Sequence, residues 1–265
     1  MENRPIGVFD SGLGGLTVVK SLKKILPNES ILYFGDTARL PYGVKSRDLI
    51  IQYSMQIANF LIKKDAKMII VACNTATAMA LEVLKNNFKD IPIIGVIEPG
   101  SIQASLDSRS KKIGVIGTVA TINSKAYDIA LRLVDREIQV FSKECPLFVP
   151  FVEEGMVEGE AINIIVEHYL SSFKNNIDTM ILGCTHYPLL KPVIKDFVED
   201  IMLVDSALAI AAHAKNTLIK KNLMNEVGNP NELECFVTDL PRKFEKLGEI
   251  FLGETINQPK LIDDL

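Results

Sequence analysis

The chain has 265 residues, 48% apolar and 23% charged, the composition of an ordinary globular protein long enough to bury one large core or two medium ones. Lys and Arg number 29 against 33 Asp and Glu, for a net charge of −4, so nothing in the overall balance draws the chain to a polyanion and nucleic acid is not an expected partner. With no apolar run near the ~20 residues of a membrane helix, no secretory leader, and four cysteines in neither CxxC nor zinc-type spacing, we expect a cytoplasmic protein with reduced thiols, no membrane partner and no structural metal.

Residues 6–9 read as a short buried strand. They run into Asp10-Ser-Gly-Leu-Gly-Gly15 and then a helix over 16–26. The glycines permit close backbone approach, and free amides at a helix start attract an anion. The spacing is not GxGxxG and no P-loop lysine follows, which favours a small carboxylate over a nucleotide. A strand over 30–34 leads to Pro41-Tyr-Gly43, a turn expected to hold Tyr42 outward, and an amphipathic helix covers 47–64. Met68-Ile-Ile-Val-Ala-Cys-Asn-Thr-Ala-Thr77 follows: an apolar strand ends at Cys73 and gives way to a helix. A strand over 91–97 is expected to break at Glu98-Pro-Gly100, a domain boundary, with a helix beginning at 101.

A strand over 112–117 repeats the Ile-Gly-Val of the opening strand, and Thr118 and Thr121 supply hydroxyls at the next helix start. A helix through Val134, a strand over 138–142, an apolar stretch ending in Glu153 and Glu154, and a helix over 158–173 lead to Asp178-Thr-Met-Ile-Leu-Gly-Cys-Thr-His-Tyr-Pro188. Here a second apolar strand again runs into Cys-x-Thr, at Cys184. Pro188 and Pro192 bracket a helix start, and a strand over 202–205 and a helix over 206–221 follow. Residues 224–230 are turn-rich, 234–238 form a strand, 242–252 a helix, and 253–265 a tail. Strands alternate with helices throughout, which argues a mostly parallel α/β architecture. Cys73 and Cys184 recur at nearly the offset that separates Gly7 from Gly114. Two similar open α/β domains related by pseudo-symmetry are therefore expected, facing each other across a cleft with one thiol on each wall.

One reduced cysteine at a strand end suggests a nucleophile, but two at equivalent ends suggest a symmetric reaction. Inversion of a stereocentre has that symmetry, because one group takes a proton from one face of a carbon while another delivers a proton to the opposite face. A thiol, with an ordinary pKa of about 8.5, suits both roles after modest tuning. Asp10 disfavours a nearby thiolate, takes the thiol proton or orients a substrate ammonium. His186 lies within reach of Cys184 as a proton acceptor or relay, and helix N-termini after each cysteine are expected to lower the thiol pKa. Free cysteines often only fill space. Cys145 and Cys235, which lack the motif, are assigned to packing, as are His168 and His213.

Asp10-Ser-Gly-Leu-Gly-Gly15, Pro41-Tyr-Gly43, Cys73-Asn-Thr-Ala-Thr77 and Gly183-Cys-Thr-His-Tyr-Pro188 resemble the motif set of bacterial glutamate racemase, in the family's order and across nearly the whole chain. The resemblance implies a cofactor-independent enzyme that interconverts L- and D-glutamate for peptidoglycan, with Cys73 the base acting on the D-enantiomer and Cys184 the base acting on the L-enantiomer. Asp10, His186 and Glu153 match assisting positions, with Glu154 an alternative to Glu153. Ser11, Pro41, Tyr42, Gly43, Asn74, Thr75, Thr118, Thr121, Thr185 and His186 match substrate-contacting ones. It further implies a homodimer, and a C-terminal segment that returns to the first domain (1–97 plus 211–265, with 98–210 as the second).

Rival readings are a pyridoxal phosphate enzyme, a non-catalytic carboxylate binder and a cysteine hydrolase. The first needs a Schiff-base lysine, which none of the motifs contains; the other two leave one or both thiols unexplained.

Overall fold

The computed structural model describes residues 2–226, 232–239 and 244–262, and among these the strands form two parallel sheets. The first half contains β1 (Ile6–Asp10), α1 (Leu16–Ile25), β2 (Ile31–Gly35), α2 (Arg47–Lys63), β3 (Met68–Val71), α3 (Asn74–Asn87), β4 (Ile93–Gly95) and α4 (Ile97–Asp107). The second contains β5 (Lys112–Gly117), α5 (Val119–Asn123), α6 (Ala126–Val134), β6 (Gln139–Glu144), α7 (Phe148–Glu153), α8 (Glu160–Leu170), β7 (Thr179–Gly183), α9 (Lys191–Val198) and β8 (Met202–Asp205). α10 (Ser206–Lys221) leads back to β9 (Leu233–Val237), α11 (Phe244–Leu252) and β10 (Lys260–Leu261), which complete the first sheet.

The six-stranded sheet runs β10-β9-β2-β1-β3-β4 and the four-stranded sheet β6-β5-β7-β8. β1 and β3, and likewise β5 and β7, are neighbours where the winding direction reverses, the point at which open α/β sheets leave a crevice at their carboxyl ends. β1, β3 and β7 are buried along their whole length, which is why they read as continuous apolar runs rather than alternating ones. One apolar cluster extends from Leu16 and Val19 of α1 through Ile210 and Ala214 of α10 to Val166 of α8 and Ile194 of α9, so a shared core ties the sheets together.

Several local expectations need correction. Glu98, Pro99 and Gly100 lie inside α4, not in a break before it, because a proline in the first helical turn forfeits an N–H that has no partner there anyway. The helix through Val134 is two helices, α5 and α6, hinged at Lys125 with φ 59°. The acidic run at 153–154 closes a helix, α7, and α8 starts only after Gly159. The tail contributes β10, paired parallel to β9. Residues 227–230 of the turn-rich stretch, 242–243 of the closing helix and 263–265 of the tail lie outside the described residues.

Candidate active site

Both cysteines stand just beyond a switch-point strand. Cys73 follows β3 and caps α3, its sulfur accepting a hydrogen bond from the Ala76 amide at 3.4 Å. Cys184 follows β7, but Pro188 and Pro192 remove amide donors, so a 3-10 turn over Tyr187–Leu190 comes next and α9 begins only at Lys191. The two thiols line one cavity of about 30 Å³ together with Ser11, Leu40, Pro41, Tyr42, Gly43, Asn74, Thr75, Thr118, Val149, Thr185 and His186. Glycine makes the close approach possible. A Cβ on Gly14 would lie 2.3 Å from Thr185 Oγ1 and 2.7 Å from His186 Nδ1, and one on Gly43 would lie 2.7 Å from Thr118 Cβ.

On the Cys73 wall the thiol points at the Ser11 hydroxyl at 3.7 Å. Burial, reinforced by the Asp10 charge, pushes its pKa up to about 12 against the opposing pull of the Ala76 amide and Ser11. The expected lowering by the helix start is therefore present but outweighed. Asp10 is fully buried at the end of β1, where its carboxylate accepts from the Gly12 amide at 3.0 Å and from the Thr185 hydroxyl at 3.3 Å. Burial raises its pKa, and His186 and these donors only partly offset that.

On the Cys184 wall the sulfur lies 3.8 Å from His186 Nδ1, and Nε2 of the same ring lies 3.3 Å from Glu153 Oε1. Burial alone would lower the imidazole pKa, but Cys184, Glu153 and Asp10 together outweigh it and raise it to about 10. These neighbours favour the protonated form of the buried ring. Phe251 of α11 packs edge-on against the ring, with centroids 5.3 Å apart.

Between the walls three hydroxyls close a triangle: Thr75 to Thr118 at 2.9 Å, Thr75 to Thr121 at 3.1 Å and Thr118 to Thr121 at 3.0 Å. Thr118 also caps α5 by accepting from the Thr121 amide. Asn74 presents a buried Nδ2 that has no protein partner. Donors of this kind, converging on one space beside His186, suit a carboxylate ligand.

Asp10, Glu153 and Thr121 stand behind the cavity lining rather than on it. Tyr42 does not point outward: it is 1% exposed, and its hydroxyl donates to Asp36 Oδ2 at 2.5 Å, which burial of that carboxylate beside Arg39 makes favourable. Sequence reasoning does not single out Leu40, Val149 or Phe251, which are apolar residues in apolar surroundings and carry no local signal.

Residues 6–214 match the family model described as Asp/Glu/Hydantoin racemase. The chain is 49% identical to the glutamate racemase of Aquifex aeolicus over 98% of each chain. It superposes on the Francisella tularensis glutamate racemase, solved in complex with D-glutamate, with TM-score 0.93 at 44% identity over 99% of this chain and 98% of the other. The Thermus thermophilus glutamate racemase, in complex with beta-chloro-D-alanine, gives TM-score 0.89 at 40% identity over 98% and 97%. Two parallel sheets meeting at paired strand ends, and relatives of this similarity over nearly the full length, place the chain in the Asp/Glu/Hydantoin racemase family, among the glutamate racemases.

Proposed function

We propose that the enzyme interconverts L- and D-glutamate without a cofactor, using Cys73 and Cys184 as the two acid–base groups. The observation that carries this reading is the presence of both thiols, each from the end of a different sheet, in the lining of a single cavity. In one direction Cys73, as thiolate, takes the Cα proton of D-glutamate while the Cys184 thiol protonates the opposite face; in the other the roles exchange. Asp10 holds or receives the Cys73 proton, and His186, backed by Glu153, does the same for Cys184. Ser11, Asn74, Thr75, Thr118, Thr185 and His186 supply donors to the substrate carboxylates, with Thr121 orienting the Thr75 and Thr118 hydroxyls from behind, while Pro41, Tyr42 and Gly43 shape the wall facing Thr118. The cavity is small beside the roughly 300 Å³ or more of typical ligand sites, and substrate binding is expected to widen it.

The product would supply D-glutamate for peptidoglycan, and so for cell-wall biogenesis and cell shape, in the cytoplasm. All four cysteines are free and no described helix is long and apolar enough to cross a membrane, in keeping with that placement. We further propose two domains, 1–97 plus 211–265 and 98–210, and a homodimer. The adjoining helices α4 and α6 favour a dimer, because they expose Leu106 and Leu133 at 76% and 83%.

The deciding experiment incubates dialysed protein with each enantiomer in deuterated water and follows chirality together with the Cα proton. Convergence to a racemic mixture carrying solvent deuterium at Cα, with no added cofactor, is the expected result. Absence of exchange from either enantiomer would sink the proposal.

A further inference from the structure

Tyr127 lies outside the cavity lining, yet it touches the chain beside both thiols. It leaves the first turn of α6 and is 2% exposed. Its hydroxyl donates to Oδ1 of Asn74, the residue after Cys73, at 2.6 Å. Its ring lies against Gly183, the residue before Cys184: a Cβ there would sit 3.1 Å from Tyr127 Cε2. Ser206, at the start of α10, stands beside the phenol, where it opposes the upward push of burial on the phenol pKa. Gly100 makes room for this arrangement, since a Cβ at that position would meet Ser206 Cβ at 3.1 Å and the Tyr127 hydroxyl at 3.8 Å.

A phenol has one hydrogen to give. In this structure that hydrogen goes to Asn74 and occupies the carboxamide oxygen. The other end of the amide, Nδ2, is buried without a protein partner and belongs to a residue on the cavity wall. Burial pushes the phenol pKa well above its ordinary value, so the group remains a donor at every working pH. A freely flipping amide would also present an acceptor to the substrate. This one is held in a single sense by the hydrogen bond from the phenol.

We propose that Tyr127 is a positioning residue that fixes the Asn74 carboxamide with its N–H group turned into the cavity as a donor to a substrate carboxylate oxygen. The assignment rests on the racemase reading of the site. It differs from the roles already given because Tyr127 does not touch the substrate: it acts through Asn74.

Tyr127→Phe tests it, since the ring and its contact with Gly183 are kept and only the hydroxyl is lost. KM for both enantiomers and the calorimetric Kd for D-glutamate should rise about tenfold, the cost of a misplaced buried donor, with kcat within about twofold. In an Asn74→Ala background the same change should add nothing. An unchanged KM in Tyr127→Phe, or an equal loss with and without Asn74, would overturn the assignment. Should Tyr127→Phe fail to fold, Asn74→Ala decides, and an unchanged KM there overturns it as well. Wild-type protein that does not racemise glutamate would bring down the reading of the site along with this one, whereas normal wild-type turnover with an indifferent Tyr127→Phe counts against Tyr127 alone.

Discussion

The two thiol sites share a motif and a place in the fold but manage their protons by opposite means. Cys73 caps a 14-residue helix, faces a serine, and has a buried carboxylate rather than an imidazole as its ionisable neighbour. Cys184 has no helix start behind it and leans instead on His186, which Glu153 helps keep charged. Burial and the Asp10 carboxylate push the Cys73 thiol pKa up, whereas an imidazole stands directly beside the Cys184 sulfur. Pseudo-symmetry of backbone thus does not impose symmetry of electrostatics, and a reaction that runs equally well both ways does not require it. The enantiomers have equal free energy in water, so kcat/KM must be equal in the two directions, while kcat and KM separately are free to differ.

The largest test of that asymmetry removes the thiols one at a time. Cys73→Ala and Cys184→Ala should each lower racemisation by about 10³-fold or more, within the range lost with a general acid or base at each face. Their residual chemistry should differ. Cys73→Ala keeps the base facing L-glutamate and should exchange its Cα proton for deuterium with retention, leaving D-glutamate untouched; Cys184→Ala should show the reverse preference. Mass spectrometry of each recovered enantiomer reads this directly, and identical exchange patterns in the two variants would contradict the assignment of faces.

The next test attacks the contact that brings the walls together. In Gly14→Ala the added methyl would collide with Thr185 and His186, both on the Cys184 wall, at distances no real Cβ adopts. The walls must separate by a fraction of an ångström to more than one, and misplacement on that scale costs about 10²-fold in kcat/KM. Because Gly14 itself belongs to the Asp10 loop on the other wall, the loss should appear in both directions alike. Retention of full activity would show that the cleft tolerates a wider spacing than its packing implies.

Much of this arrangement is written locally in the chain, and some of it is not. β8 and α10 follow the expected ranges because an apolar strand and an Ala-rich amphipathic helix each carry their own period. The Cys-x-Thr repeats mark both strand ends. Pro188 is visible too, but its effect, a 3-10 turn in place of a helix start, competes with the repeat, which argues for sameness. Tyr42 reads as outward-facing because its partner, Asp36, is a buried carboxylate whose burial depends on Arg39 and Thr238, the latter brought in by the returning C-terminal strand. Tyr127 and Phe251 look like ordinary aromatic packing on amphipathic helices. What gives them meaning is contact with Asn74 and His186, far away in sequence, and no local pattern reports such a pairing.

The smallest expected effect sharpens the comparison most, because it concerns the imidazole that only one wall has. Glu153 is 36% exposed at the side chain, so water screens its attraction for His186, and a pair of this kind contributes up to about 1 kcal/mol. Glu153→Gln should therefore reduce kcat/KM by no more than about fivefold and move its alkaline limb to lower pH, the direction that follows from removing a group that raises the imidazole pKa. Stability gives an independent reading. A histidine raised from 6.5 to about 10 on folding binds a proton that the unfolded chain has released, so its stabilisation is complete below pH 6.5 and is lost as pH rises through 10. Urea melts at pH 7 and 9 should show wild type losing stability across that interval. His186→Asn should abolish this loss, and Glu153→Gln should leave most of it in place, since Cys184 and Asp10 remain to hold the charge. If Glu153→Gln erased the pH dependence as fully as His186→Asn, the half-exposed carboxylate rather than the buried thiol pair would be the seat of the asymmetry.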